Sequence, residues 1–316
     1  MTSPAIAHCP PASGLRPAAI WAVPRHIVAV LLLSAAPLSA VAALNGVVTV
    51  ADGEPFTIIR GDKLLTATKG VAVGAGDFIE TQTGNFVVAE LPDGSIVALG
   101  PSTRVYLIER ADIPTFVLMR GWLKLDAHPA GKGRDHNAIS SRLGASTPQG
   151  VLILHAGDRE DEAFHESGTM TLLIHDRGGR LSARETKVNQ FFVGEDRTVA
   201  TSAPRPSAAF VAAMPVPFRD PLPDGLANGP KFRPAEPKYV REVSYADVSG
   251  WLTISREWRG GFVERFRGRL KDPAFFAAMD ARLPLHPEWT AILHPPPPPP
   301  AENTTPPGGQ PAAALK

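Results

Sequence analysis

The residues best equipped for chemistry lie in the second half of the chain, and the densest set is basic. Arg256, Arg259, Arg265, Arg267, Arg269 and Lys271 crowd one short stretch. On a helix, Phe262, Phe266 and Leu270 share one face, while Arg265 and Arg269, at i and i+4, share another. Two guanidinium groups projecting together would bind an anionic partner, so these two are the candidate binding residues. Outside the cytoplasm such a patch suits phospholipid headgroups, acidic polysaccharide or an acidic protein surface. His155, Asp158, His165, His175 and Asp176 are metal-ligating types, but no pair has a recognised ligand spacing, which predicts loop or surface histidines and no metal. Glu160, Asp161, Glu162 and Glu166 form an acidic run. Two of them could act as a carboxylate pair in glycoside hydrolysis, although the expected role of such a run is a solvated face. The glycine-rich segment 71–76 lacks the Lys-Ser/Thr ending of a phosphate loop, and no helix follows it. The sequence contains no Gly-x-Ser-x-Gly elbow, and its single cysteine, Cys9, can form neither an internal disulfide nor a zinc site. These residues predict a protein that is not an enzyme and uses no cofactor.

The elements that must position these groups are mostly strands. From Leu44 to about Ala200, short runs of β-branched and aromatic residues alternate with Gly, Asp and Asn. Val47–Val50, Pro55–Ile59, Lys63–Leu65, Thr115–Met119, Trp122–Leu125, Val151–Leu154, Met170–Ile174 and Gln190–Val193 are the clearest. The pair on either side of Arg120-Gly121 reads as hinged there. Residues 127–143 read as a polar, mobile loop. The spacing predicts a mainly β domain over 44–200, either a sandwich or a short solenoid of strands. A linker over 201–237 follows, where repeated prolines oppose helix and interior strand. The period then becomes helical over 238–294. Ser244-Tyr245-Ala246-Asp247 is a capping-box pattern, with Val248, Trp251 and Leu252 behind it. Asp272-Pro273 is an N-cap followed by proline at the first helical position, ahead of Phe275, Phe276, Met279 and Leu283. Residues 295–316 are a proline-rich tail of polyproline II or disordered character.

The most organised stretch runs from Gly70 to Ser102. It presents Gly70, Gly76-Asp77, Phe78-Ile79, Thr81, a strand over 86–91, Asp93-Gly94-Ser95, a strand from Ile96 to Leu99, and Pro101-Ser102. Asp-Gly between apolar runs is a hairpin signal, because glycine accepts positive φ without steric cost. The order of these pieces resembles the periplasmic FecR domain, over about residues 46–125. The resemblance implies a FecR-like β-sandwich or short β-solenoid. It also implies a place either in regulators that relay an outer-membrane transporter signal to a sigma factor, or among stand-alone exported modules. The residues in common contain no catalytic group.

The N-terminus decides between those roles as an expectation. Arg16 and Arg25 precede the apolar run Ile27–Leu33, and Ala40-Val41-Ala42 forms a small-residue cleavage site, so 1–43 reads as a secretory signal peptide. An uncleaved anchor over 27–43 is the alternative, with Pro37 interrupting a rather short span. Either way the positive-inside rule sends the rest of the chain out of the cytoplasm. Only 26 residues precede Ile27, too few for a cytoplasmic anti-sigma domain. Lys and Arg number 32 against 31 acidic residues, a balance that predicts no nucleic-acid partner. The expected function is a non-enzymatic periplasmic binding or scaffold module for an envelope protein or glycan. A membrane-anchored component of a FecR-type signalling pathway is the alternative.

Overall fold

The computed structural model describes residues 44–128, 135–175, 181–196, 199–225 and 234–296. The leader over 1–43, Asp176 and nearly all of the proline tail lie outside these residues. The fold is mainly β. Strands β1 (Asn45–Asp52), β2 (Phe56–Arg60), β3 (Lys63–Ala67), β4 (Ala72–Gly74), β5 (Phe78–Glu80), β6 (Phe86–Glu90), β7 (Ile96–Leu99) and β8 (Arg104–Arg110) come first. Then follow β9 (Ile113–Ala127), β10 (His136–Ile139), β11 (Gly144–Ala156), β12 (Asp161–His175), β13 (Leu181–Glu185), β14 (Phe191–Gly194), β15 (Ala200–Ala203) and β16 (Lys238–Glu242). Five short helices accompany them: α1 (Ala208–Ala213), α2 (Tyr245–Leu252), α3 (Phe262–Phe266), α4 (Pro273–Asp280) and α5 (Thr290–Leu293). All described strands belong to one hydrogen-bonded sheet, in which β9 and β10 run parallel and the other strand pairs antiparallel.

Three long strands bend this sheet around its core by changing partners midway. β9 pairs with β8 before Gly121 and with β7 and β11 from Gly121 onward. β11 pairs with β10 before Gly150 and with β9 after it, while β12 passes from β14 to β13 across Gly168. Each corner is a glycine at positive φ, and Gly150 and Gly168 lie directly opposite one another. A Cβ on Gly150 would overlap the Ser167 carbonyl oxygen, and one on Gly121 would stand 2.5 Å from Thr103 Oγ1. Strands that switch sheets at bends are how two layers share one chain path. The hinge expected at Arg120-Gly121 is therefore a sheet corner.

The corners yield a graded prediction. Gly94 has φ 84°, in the β6–β7 turn, with open space where a Cβ would go. Gly94→Ala should cost about 1 kcal/mol, from backbone strain alone. Gly150→Ala adds steric overlap to that strain and should cost about 3 kcal/mol. Urea denaturation of the two variants checks this; equal costs would remove the case for a packed corner.

Side chains along the central strands alternate between two buried faces. Ile58, Ile79, Val97, Leu99, Leu123, Leu125, Leu152 and Leu154 point into the interior core. Their neighbours Ile59 and Phe78 point to a second cluster under the C-terminal helices. Val88, Ile96, Ala98, Trp122 and Ile153 point to a third cluster, closed by Phe210, Met214, Phe218 and Leu222. Strands buried on both faces read as continuous apolar runs, which is why Ile96–Leu99 shows no polar alternation. The boundaries near 200 and 237 mark changes of pattern, but the packing crosses both.

Three local expectations need correction. The linker is not merely extended. Residues 207–214 contain no proline, so α1 forms between Pro206 and Pro215, capped by Ser207 Oγ accepting from Phe210 N at 3.0 Å. Phe210 then packs on Trp122 and Phe191. The buried Lys124 holds the following segment, its Nζ donating to the carbonyls of Phe218 (2.8 Å) and Asp220 (3.1 Å) and pairing with Glu166 at 3.0 Å. The expected loop over 127–143 contains β10, with His136 fully buried 2.9 Å from Asp93; residues 129–134 lie outside the described set. Nor is the acidic run a solvated face. Asp161 is 0% exposed and accepts from Arg142 N (2.8 Å), Arg142 Nη1 (3.0 Å) and Ser141 Oγ (3.1 Å).

The stretch from Gly70 to Ser102 is turn chemistry throughout. Asp77 is buried and takes both Arg60 Nε (2.8 Å) and Arg60 Nη2 (2.7 Å), while its Oδ2 also accepts from Gly74 N. Thr81 Oγ1 donates to Gly100 O (2.7 Å) and accepts from Thr103 N (2.8 Å). In the β6–β7 turn, Gly94 N donates to Leu91 O and Ser95 N to Asp93 Oδ1, the pattern of a type I turn with proline second and a glycine bulge.

Candidate functional site

Arg265 and Arg269 do not form an outward patch. A shared face needs one uninterrupted helix, but α3 ends at Phe266 and Arg269 lies in a 3-10 turn over Arg267–Lys271. Arg265 turns inward across Phe78, its guanidinium carbon 4.0 Å from the ring centroid. Its nitrogens donate to Gly61 O (2.8 Å), Gly76 O (2.6 Å) and Ile59 O (2.7 Å). Burial pushes its pKa down to about 10. Arg269 donates to Val243 O (2.9 Å) and Asp272 Oδ2 (2.6 Å) and pairs with Glu242. Each arginine ties the helical segment to a strand or its flank. The driving force is the need of sheet-edge and loop carbonyls for donors once helices cover them.

The histidines also do separate structural work. His155 stacks on Trp122 at 4.1 Å and pairs with Glu162 at 2.9 Å. His165 is buried between Thr186 Oγ1 (2.8 Å) and Gly168 O (3.2 Å). Among the described residues no group of three or more His, Cys, Asp or Glu is placed to hold a metal ion.

A concavity lies elsewhere, between the β8–β9 hairpin tip, the turn after β10 and the loop after α2. It consists of two hollows, of about 440 and 380 Å³, that share Ser140, Ser141 and Trp258. Each element is held there by its own local chemistry. Ala111 and Asp112 close the hairpin at positive φ. Asp161 fixes the Ser141-Arg142 turn through the three hydrogen bonds above. The loop after α2 is tied back by Arg259, which donates to Leu252 O (2.8 Å) and pairs with Glu288 at 3.3 Å. The indole of Trp258 stands half-exposed as a wall common to both hollows, with Arg110 over it at 5.6 Å. The larger hollow adds Asn137 and Thr115, whose side chains meet at 3.4 Å. The smaller is walled by Val117, Met119 and Ile254 and fringed by Thr253 and Ser255. Such a site can stack on a flat face, accept a methyl or methylene group, and hydrogen-bond hydroxyls and amides.

No protein-family model and no curated protein matches the chain. Two solved structures of a candidate anti-sigma factor from Parabacteroides distasonis are similar to it at 16% identity, with TM-scores of 0.35. The similarity covers 43% of this chain and 62% and 63% of theirs.

Sequence reasoning passed over the cleft because its residues come from three distant segments and share no spacing. One signal was available: Trp258 fits none of the helical stripes and is followed by Gly260-Gly261. A tryptophan outside any periodic pattern, beside chain-breaking glycines, has no assigned place in a core.

A buried histidine nearby gives a pH prediction. His286 is 0% exposed, with Nε2 2.8 Å from Tyr245 Oη. Burial lowers its pKa below the ordinary 6.5. The unfolded chain therefore binds this proton more readily than the folded one, so the group's contribution is complete above pH 6.5 and is lost as pH falls through the folded value. Melting temperature should drop between pH 7 and 5, and His286→Gln should show a shallower drop. Parallel curves for the two proteins would assign the acid sensitivity to other groups.

Proposed function

We propose that this protein is a non-enzymatic exported module of the FecR-domain kind, which holds a partner of the cell envelope in the Trp258 cleft. The observation that carries the reading is the cleft itself: a half-exposed indole shared by two hollows, with apolar side chains such as Ile113, Ile139 and Ile254 and the charged Arg110, Arg142 and Glu257 around it. The residues of the Gly70–Ser102 stretch support the scaffold half of the proposal, since they build turns and make no site. The leader supports export. Among the described residues no helix is long and apolar enough to cross a membrane.

Two measurements test this. N-terminal sequencing of protein from the envelope fraction should find a mature start at Ala43 or Leu44; an intact leader would favour the membrane-anchored signalling component instead. Retention of the protein on envelope extract should fall with Trp258→Ala and stay unchanged with Arg267→Ala, whose side chain is exposed and lines neither hollow. Undiminished retention of the Trp258 variant would move binding away from the cleft.

A further inference from the structure

We infer that the cleft takes a run of prolines in the polyproline II conformation, and that the run is Pro295–Pro300 of a second copy of this chain. The inference rests on the cleft being the binding site and names what enters it. The lining is chiefly apolar: Ile113, Ile139, Leu143 and Leu173 wall the larger hollow, and Val117, Met119 and Ile254 the smaller. Its hydroxyl hydrogens are already spent. Ser140 Oγ donates to Leu143 O (2.9 Å), Ser141 Oγ to Asp161 Oδ2 (3.1 Å), Thr253 Oγ1 to Gly250 O (2.9 Å) and Ser255 Oγ to Glu257 Oε1 (3.2 Å). The Arg142 guanidinium is likewise held by Gly157 O, Asp158 O and Asp161. An ordinary peptide laid against such a surface would bury N–H groups there, and an unpaired buried N–H is costly. Proline has no N–H, so a proline run presents apolar rings and carbonyls alone.

The shape fits the same ligand. Polyproline II has about three residues per turn and rises about 3.1 Å per residue, so rings i and i+3 face one way about 9 Å apart. The Trp258 indole is the wall common to both hollows, and it can stand between two such rings, as the aromatic side chains of proline-binding grooves do. Arg110 is exposed and lies 5.6 Å over that indole, where it can donate to a proline carbonyl while staying on the ring. The sequence supplies the run: six consecutive prolines follow His294, directly after α5. Such a run is about 19 Å long, enough for both hollows. Its first two residues, Pro295 and Pro296, are exposed. A proline run is stiff over several residues, so one that leaves the surface does not fold back within its own length, and the cleft it reaches is another copy's.

The tryptophans provide the readout. Trp122, Trp251 and Trp289 are buried, and Trp21 lies in the leader, so in protein starting at Leu44 iodide quenching reports chiefly on Trp258. A variant carrying Pro297→Gly, Pro298→Gly, Pro299→Gly and Pro300→Gly together keeps the length of the tail and lacks the stiff run. In sedimentation equilibrium the average mass of the parent should rise with concentration, and that of the glycine variant and of Trp258→Ala should not. Hexaproline added to the glycine variant is expected to protect Trp258 from iodide saturably, and hexaalanine is not. Calorimetry in the same background should show Trp258→Ala weakening hexaproline about tenfold. Arg110→Ala, at an exposed position, should weaken it as well while the melting temperature stays near that of the parent. A parent that remains monomeric, with hexaproline binding the glycine variant and not the parent, would overturn the second copy and place the run on its own cleft. Equal protection by hexaproline and hexaalanine would overturn the proline assignment. Absence of protection, together with loss of envelope retention in Trp258→Ala, would overturn the proline run and leave the cleft to another partner. Retention unaffected by Trp258→Ala would overturn the cleft reading itself.

Discussion

A chain of residues 44–225, lacking β16 and the C-terminal helices, is expected to lose its cooperative fold and to aggregate. The helices are not an appended domain, because they roof one face of the sheet. Phe78 stacks on Trp251 with ring centroids 4.5 Å apart and a 10° interplanar angle, and meets Phe262 edge-on at 5.2 Å. Ile59 and Phe78 are fully buried in this cluster, with Leu64, Tyr106 and Met119 partly buried at its edge. Uncovering a large apolar side chain costs about 1.5–3 kcal/mol, so stripping this face removes several kcal/mol from a typical reserve of ~5–15 kcal/mol. The cut also frees the β3 edge that β16 covers over Lys63–Thr66, and an apolar face beside an open edge promotes association. The converse piece should fare no better. Helices of eight residues or fewer are unstable alone in water, and residues 238–296 without the sheet should show little helical circular dichroism. Light scattering and thermal denaturation of residues 44–225 against 44–296 check the first half. A soluble monomer melting within a few degrees of the longer chain would show that the sheet stands without its roof.

Arg265→Ala should destabilise the protein by about 4 kcal/mol. The side chain spans α3 and the strands beneath it, so its removal leaves the carbonyls of Ile59, Gly61 and Gly76 short of a donor at once. It also removes the cation from the face of Phe78. Lysine keeps the charge but has no planar fork, and three carbonyls on different segments cannot be met by one ammonium group in the same geometry, so Arg265→Lys should recover only part of the loss. Arg267→Ala is the control. That side chain is 59% exposed and, among the described residues, pairs with the exposed Glu264 alone, so the change should stay within about 0.5 kcal/mol. Guanidinium denaturation with the slope held common separates the three. An Arg265→Ala midpoint equal to that of Arg267→Ala would return Arg265 to the solvent.

The contrast between Arg265 and the turns shows where local information stops. Gly94 at positive φ, the Asp247 carboxylate on Ser244 N at 2.7 Å, and Asp272 capping α4 ahead of Pro273 were all legible in sequence. Each depends on interactions within a few residues, which the chain states wherever it is placed. The buried stripes were legible for the same reason: Trp251 shares a face of α2 with Val248 and Leu252, Phe266 shares one of α3 with Phe262, and faces that apolar must find cover. What covers them is not local information. The alternation within Ile58-Ile59 or Phe78-Ile79 says that neighbouring residues point opposite ways, but both are apolar, so nothing in the run announces a second and third layer. That required α2–α4 on one side and Phe210–Leu222 on the other. Arg265 looked solvated because arginines usually are. Its three acceptors stand 189 to 206 residues away in sequence, on main chain that needed donors only after the helices had covered it. The cleft is the extreme case: Arg110, Asn137 and Trp258 become neighbours only when the β8–β9 hairpin, β10 and the loop after α2 meet. Sequence determined the elements and their caps, since those free energies are short-range. Tertiary structure decided which charges are buried and where a ligand can enter, because both depend on how the sheet bends at its glycine corners and on what then covers its faces.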